Sequence, residues 1–276
     1  GPTVKGPALI PTIVSSYGEY QARFGDVFRS GSKGGDYFQY LTSLTAQNYL
    51  RHSNKATIVR ILENGANASY AHATAIVPTG SSDGTYHTGS SKYGGALVED
   101  ETATSFKLHT LSHGAILNNA PARTAANMGG ATGSNNLLLS GSEHNFRWEI
   151  TNQNPKKGTF SLSIRKGNDT HNRKQVLESF NNLSLDPKSN NYISKIVGDS
   201  VMTLRGTTAD PYLQATGSYP NGSKYVRVEV VKPTVDYLDE NGDIRETTLT
   251  GSLPGLGSGS YHGTFIGGNN GWAGFD

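Results

Sequence analysis

Residues 159–166, TFSLSIRK, alternate apolar and polar side chains without a break. Successive side chains of a strand point to opposite faces, so Phe160, Leu162 and Ile164 share one face. Ser161, Ser163 and Arg165 fall on the other, which is expected to point outward. FRWEIT at 146–151 repeats the pattern with Phe146, Trp148 and Ile150, and YVRVEVV at 225–231 repeats it with Val226, Val228 and Val230. Strands with one apolar face need a second layer to cover it. VDYLDENGDIRETTL, 235–249, is expected to form a hairpin turning at Asn241-Gly242, a pair suited to positive backbone φ. Residues 146–250 are therefore expected to form a β-rich antiparallel domain, sandwich- or barrel-like.

Composition fits that expectation. The chain of 276 residues is 34% hydrophobic and 17% charged, where ordinary domains are nearer half and a quarter. Gly, Ser, Thr and Asn fill the difference, and long Gly/Ser/Asn-rich loops are expected to link the strands. The 14 Tyr and 9 Phe argue against simple disorder. A core this thin leans on packing partners, since the absence of Cys removes disulfides and thiolate metal sites. A formal charge of +2 without clustered Lys or Arg argues against direct nucleic-acid binding. No run approaches the eighteen or so apolar residues of a membrane span, so no membrane insertion is expected. The opening GPTVKGPALIP has no charged head and apolar core of the signal-peptide kind.

Residues 1–62 read as a small α/β segment of order strand, helix, helix, strand. PALIPTIV suits an edge strand. SYGE at 16–19 is a capping box, with Ser16 accepting from the Glu19 amide and the carboxylate reaching back, and Gly25 closes that helix. Asp36 is expected to cap a second helix whose Tyr37, Phe38, Leu41, Leu44 and Tyr49 recur at helical spacing as a buried face. ATIVRIL at 56–62 is expected to be a buried strand. Residues 63–145 read as a variable, loop-rich lobe in which only SFKLHTL alternates. Residues 187–197 read as a helix begun by Asp186-Pro187, apolar along Tyr192, Ile193, Ile196 and Val197, and stopped by Gly198. Residues 251–276 read as a Gly-rich linker that ends without a cap, as if a further domain followed.

Candidate chemistry is sparse. The closest histidines, His109 and His113, lie four apart on a strand, about 13 Å along it, too far to share a metal. Gly255, Gly257, Gly259 and Gly263 lack the spacing of a dinucleotide loop, and no phosphate-binding loop motif occurs. DENGD at 239–243 has its glycine fourth, where a calcium loop needs it sixth. No catalytic, cofactor-binding or metal-ligating residue is therefore expected, and no cofactor.

Three blocks together carry a resemblance. KGPALIPTIVSSYGEYQARFGD, followed by YFQYLTSLTAQNYL and ATIVRIL, resembles the opening core of contractile tail sheath proteins of bacteriophages. GTFSLSIRKGND leading into VLESFNNLSLDPKSNNYISKIVGD is similar to that family's most recognisable block, and FIGGNNG to the glycine motif before its C-terminal domain. The resemblance implies an α+β fold, a small α/β core piece with the β-rich domain facing outward. It implies a non-enzymatic subunit that polymerises helically around a tail tube and contracts to drive the tube through the host envelope. Implied partners are other sheath subunits, the tail tube protein, and baseplate and tail terminator proteins. The implied place is the virion tail, after assembly in the host cytoplasm. The family's N-terminal arm and C-terminal domain have no counterpart here, so the chain is expected to be a fragment. Two other readings stand beside it: the sheath of a bacterial contractile injection system, and a glycan-binding or glycan-cleaving β module of a phage fibre.

Overall fold

The fold is taken from a computed structural model that describes residues 1–29, 37–62, 68, 70–76, 104–119, 141–170, 172–207, 209–254, 265 and 267–270. Twelve strands and three α-helices occur among them. The fold is α+β and β-rich, built from small antiparallel sheets with no closed barrel among the described residues.

Two three-stranded sheets make the centre. One joins β7 (Phe146–Asn154), β8 (Thr159–Lys166) and β9 (Val176–Ser184) in that order. The other has β6 (Thr104–His113) between β5 (Tyr70–Ile76) and β12 (Val226–Val230). Phe146, Trp148 and Ile150 of β7, and Phe160, Leu162 and Ile164 of β8, join Phe106 and Leu108 of β6 and Val226 and Val228 of β12 in one buried cluster. The Phe106 and Phe160 rings stack at 5.8 Å across the two sheets. Burial of side chains this size stabilises by about 2 kcal/mol each. The short helix α3 (Ile193–Val197) closes the cluster with Ile193 and Val197. Three register shifts interrupt the first sheet, one between Thr151 and Asn154, one opposite Phe160 and Leu162 and one opposite Ile164 and Arg165. Asn152 and Asn182 occupy positive φ (51° and 56°) there, a conformation asparagine tolerates better than most residues.

Several expectations need correction. The second helix, α2, spans Leu41–Leu50 and follows a strand: β3 (Tyr37–Gln39) pairs with β2 (Val27–Arg29). Asp36 lies outside the described residues. The face expected to be buried is the exposed one, as Leu41 (76% exposed), Leu44, Tyr49, Tyr37 and Phe38 all face solvent. The run at 56–62 yields only β4 (Ala56–Ile58), half-buried to exposed, paired antiparallel with β1 (Thr12–Val14).

In the central sheet, Ser161 and Arg165 are buried as well as Phe160, Leu162 and Ile164. The helix expected over 187–197 begins only at Ile193. Asp186 instead closes a turn, its Oδ1 accepting from the Lys188 amide at 2.9 Å and its carbonyl from Ser189 at 3.0 Å. Ile196 remains partly exposed. Asn241 does not take up positive φ; only Gly242 does, at 84°. The hairpin shrinks to a single bridge, Leu238 to Ile244. Strands β5 and β6 come from the supposed loop-rich lobe, yet β6 is the middle of its sheet. Residues 63–67, 69, 77–103 and 120–140 of that lobe, and Gly255, Gly257, Gly259 and Gly263, lie outside the described residues. The tail is more than a linker where it is described: Phe265 is buried in the core, and its amide donates to Asn119 Oδ1 at 2.6 Å. Asn118 exchanges side-chain bonds with the Gly268 backbone, both 2.8 Å.

Candidate interaction surfaces

The outward set of α2 begins with the helix α1 (Tyr17–Phe24). The Glu19 amide donates to Ser16 Oγ at 3.2 Å, as the capping box requires. The Glu19 carboxylate reaches one residue further back than expected, accepting from the Ser15 amide (2.9 Å) and hydroxyl (2.8 Å). Tyr20 and Phe24 then point inward and stack at 5.4 Å, meeting Val14 and Ala46 in a second, small cluster.

Beside that cluster sits a polar knot on Asp26. Its carboxylate accepts from Tyr17 Oη at 2.8 Å, Ser43 Oγ at 2.6 Å and Gln21 Nε2 at 2.8 Å, and also from Gln39 Nε2. Partial burial pushes its pKa up, but the donors, Ser43 first, outweigh burial and hold it below the usual aspartate range. The same environment raises the Tyr17 phenol, through burial above all. The consequence for α2 is rotational. Ser43 is drawn inward to the carboxylate, Ala46 follows one turn on, and Leu50, one turn further, packs partly buried against the same cluster. Leu41, Leu44 and Tyr49 lie on the far side of a helix with 3.6 residues per turn and are turned outward. Phe38 adds to them, in edge contact with Phe28 (5.2 Å) and Tyr40 (5.2 Å). A contiguous exposed apolar face of this kind marks an interaction surface more often than a simple solvent boundary.

A second exposed surface is the hairpin of β10 (Val201–Gly206) and β11 (Pro211–Thr216). These strands pair only with each other among the described residues, and all six residues of β11 are exposed. Met202, Leu204, Tyr212 and Leu213 stand out from it. Open strand edges of this kind invite pairing with another chain.

The polar groups that could carry chemistry are engaged elsewhere. On the reverse face of the first sheet, Arg165 donates to both oxygens of Asp169 (2.7 and 2.9 Å) and to Glu149 at 2.8 Å. Arg147, directly opposite Arg165 in register, lies 3.1 Å from Asp169, and Lys174 donates to Glu149 at 2.7 Å. Two like charges face to face across strands are tolerable only with carboxylates between them. Arg147, Glu149, Arg165 and Asp169 are nearly or wholly buried. This network is not predicted by the sequence pattern; the signal for it is Arg147 and Glu149 at alternate positions of β7, with Arg165 directly opposite Arg147 on β8.

A shallow cleft of about 300 Å³ is lined by Tyr192, Ser194, Asp199, Arg227 and Glu229 among others. Its carboxylates have partners: Asp199 accepts from the Ser218 (2.8 Å) and Tyr219 (2.7 Å) amides, and Glu229 meets His109 at 2.7 Å. His109 and His113 are not brought together. His113 is buried at the junction with the N-terminal segment, where its Nδ1 accepts from the Ala8 amide at 2.8 Å. The carboxylate of DENGD's Asp239 accepts from the Asn241 (2.8 Å) and Asp243 (2.9 Å) amides and so shapes the turn. Among the described residues no three His, Asp or Glu side chains gather as a metal site. No helix among them is long and apolar enough to cross a membrane.

No family model, curated protein or solved structure matches the chain. The functional reading therefore rests on the residues and their geometry.

Proposed function

We propose that this chain is a structural subunit of a contractile tail sheath. In this reading it polymerises helically around a tail tube and contracts to drive the tube through a host envelope for genome ejection. It acts without enzymatic turnover, and its partners are further sheath subunits, the tube, and the baseplate and terminator proteins at the two ends. Its place is the virion tail, after assembly in the host cytoplasm.

The observation that carries the reading is the outward face of α2. A chain with only 34% hydrophobic residues leaves Leu41, Leu44 and Tyr49 in water while packing Ser43 and Ala46 inside. That arrangement costs stability in the isolated subunit and is recovered when another surface covers it. It lies in a segment that carries the first of the sheath-like blocks. A subunit whose contact surfaces differ from one another generates a helix when its rotation does not close.

Electron microscopy of the full-length protein tests this. Helical tubes or ring stacks are expected. A monodisperse monomer or trimer that binds or cleaves polysaccharide would instead establish the fibre-module reading. Tubes formed only with components of a bacterial injection apparatus would place the sheath there.

A further inference from the structure

We propose that the outward face of α2 docks on the acidic loop 235–246 of a second copy of this chain, in a head-to-tail contact. This rests on the assembly reading above and names the surfaces that make it.

Residues 37–62 contain no Asp or Glu at all, while Arg51 and Lys55 are exposed there. Arg51 has helical backbone angles (φ −71°, ψ −25°) and extends the row Leu41, Leu44, Asn48 by one more step of three. The face is thus an apolar strip that ends in positive charge. The loop 235–246 is its complement. It holds Asp236, Asp239, Glu240, Asp243 and Glu246 against a single Arg245. Within the subunit, Asp236 is paired with Lys188 at 2.8 Å and Asp239 is engaged by the turn amides. Glu240 and Asp243 remain exposed at its tip, and Val235, 49% exposed, supplies an apolar neighbour.

Both surfaces are exposed in one subunit, so they do not satisfy each other within it. A two-fold contact of α2 on α2 would offer Arg51 and Lys55 no carboxylate partner, since residues 37–62 hold none. The head-to-tail arrangement pairs opposite charges at every step and leaves one free copy of each surface at the ends, so it propagates.

The test is sedimentation velocity on the full chain over a concentration series, at low and high salt. Arg51→Glu/Lys55→Glu and Glu240→Lys/Asp243→Lys should each weaken self-association by about tenfold or more. The four changes combined in one chain, or the two variants mixed, should restore it. All four positions are exposed, so circular dichroism should match the unaltered protein. If tubes or rings form and neither double variant weakens them, this interface is wrong while the sheath reading stands. If the combined variant fails to recover association, the pairing of these two surfaces is wrong. If the unaltered chain never associates, both proposals fall.

Discussion

At the scale of single residues, Asp26 and His113 have the widest reach. One carboxylate at Asp26 collects donors from α1, from β3 and from α2. That collection decides which side of α2 meets water. His113 joins the N-terminal segment to the second sheet: its Nδ1 accepts from Ala8, and its carbonyl accepts from Arg60 at 2.7 Å. Accepting from an amide requires a neutral imidazole. Burial, with repulsion from Arg60 second, lowers its pKa to about 4 from 6.5. The unfolded chain binds the proton more readily, so the full contribution is present above pH 6.5 and is lost as pH falls towards 4. The loss amounts to about 3 kcal/mol for this one group. Denaturant titrations between pH 7 and 4 should show a steeper fall for the unaltered protein than for His113→Asn. Equal slopes would mean that His113 does not report on this junction.

At the scale of elements, the strands were legible because period two survives any context. Phe160, Leu162 and Ile164 point inward as read, and so do Val226 and Val228. The opposite face was not legible, because alternation reports which residues share a face and not what covers it. Arg165 looked like a solvent residue and is wholly buried in a charge network. Asp169 is the keystone there, placed four residues after Arg165 and bound to both arginines. Asp169→Asn should destabilise by about 3 to 5 kcal/mol, because it leaves buried guanidinium groups uncompensated. A thermal or denaturant melt checks this; a change below about 1 kcal/mol would mean that the arginines find other partners. Helix α2 was misread for a related reason. Its large residues recur at helical spacing, which identifies a face, but the Asp26 knot ranks Ser43 above Leu41 for the inside. The helix at 193–197 was placed correctly at its end, where Gly198 stops it at φ 100°, and wrongly at its start. Asp-Pro suits a turn as well as a cap, and a turn is what Asp186 makes.

At the scale of the whole molecule, the described residues form two apolar clusters of unequal size and leave large apolar side chains exposed on α2 and on the hairpin β10–β11. The larger cluster draws on both central sheets, α3 and Phe265; the smaller rests on four buried side chains. Leu50 of α2 packs against the smaller cluster, but Leu41, Leu44 and Tyr49 of that helix, and Met202, Leu204, Tyr212 and Leu213 of the hairpin β10–β11, are exposed and belong to neither. The central claim is that assembly covers α2. Hydroxyl-radical footprinting of the full-length protein, dispersed and assembled, reads this directly through Tyr49, which is 56% exposed in the subunit. The account predicts that Tyr49 oxidation falls several-fold on assembly while a buried ring such as Phe160 stays protected in both states. Equal oxidation of Tyr49 in dispersed and assembled protein would contradict it.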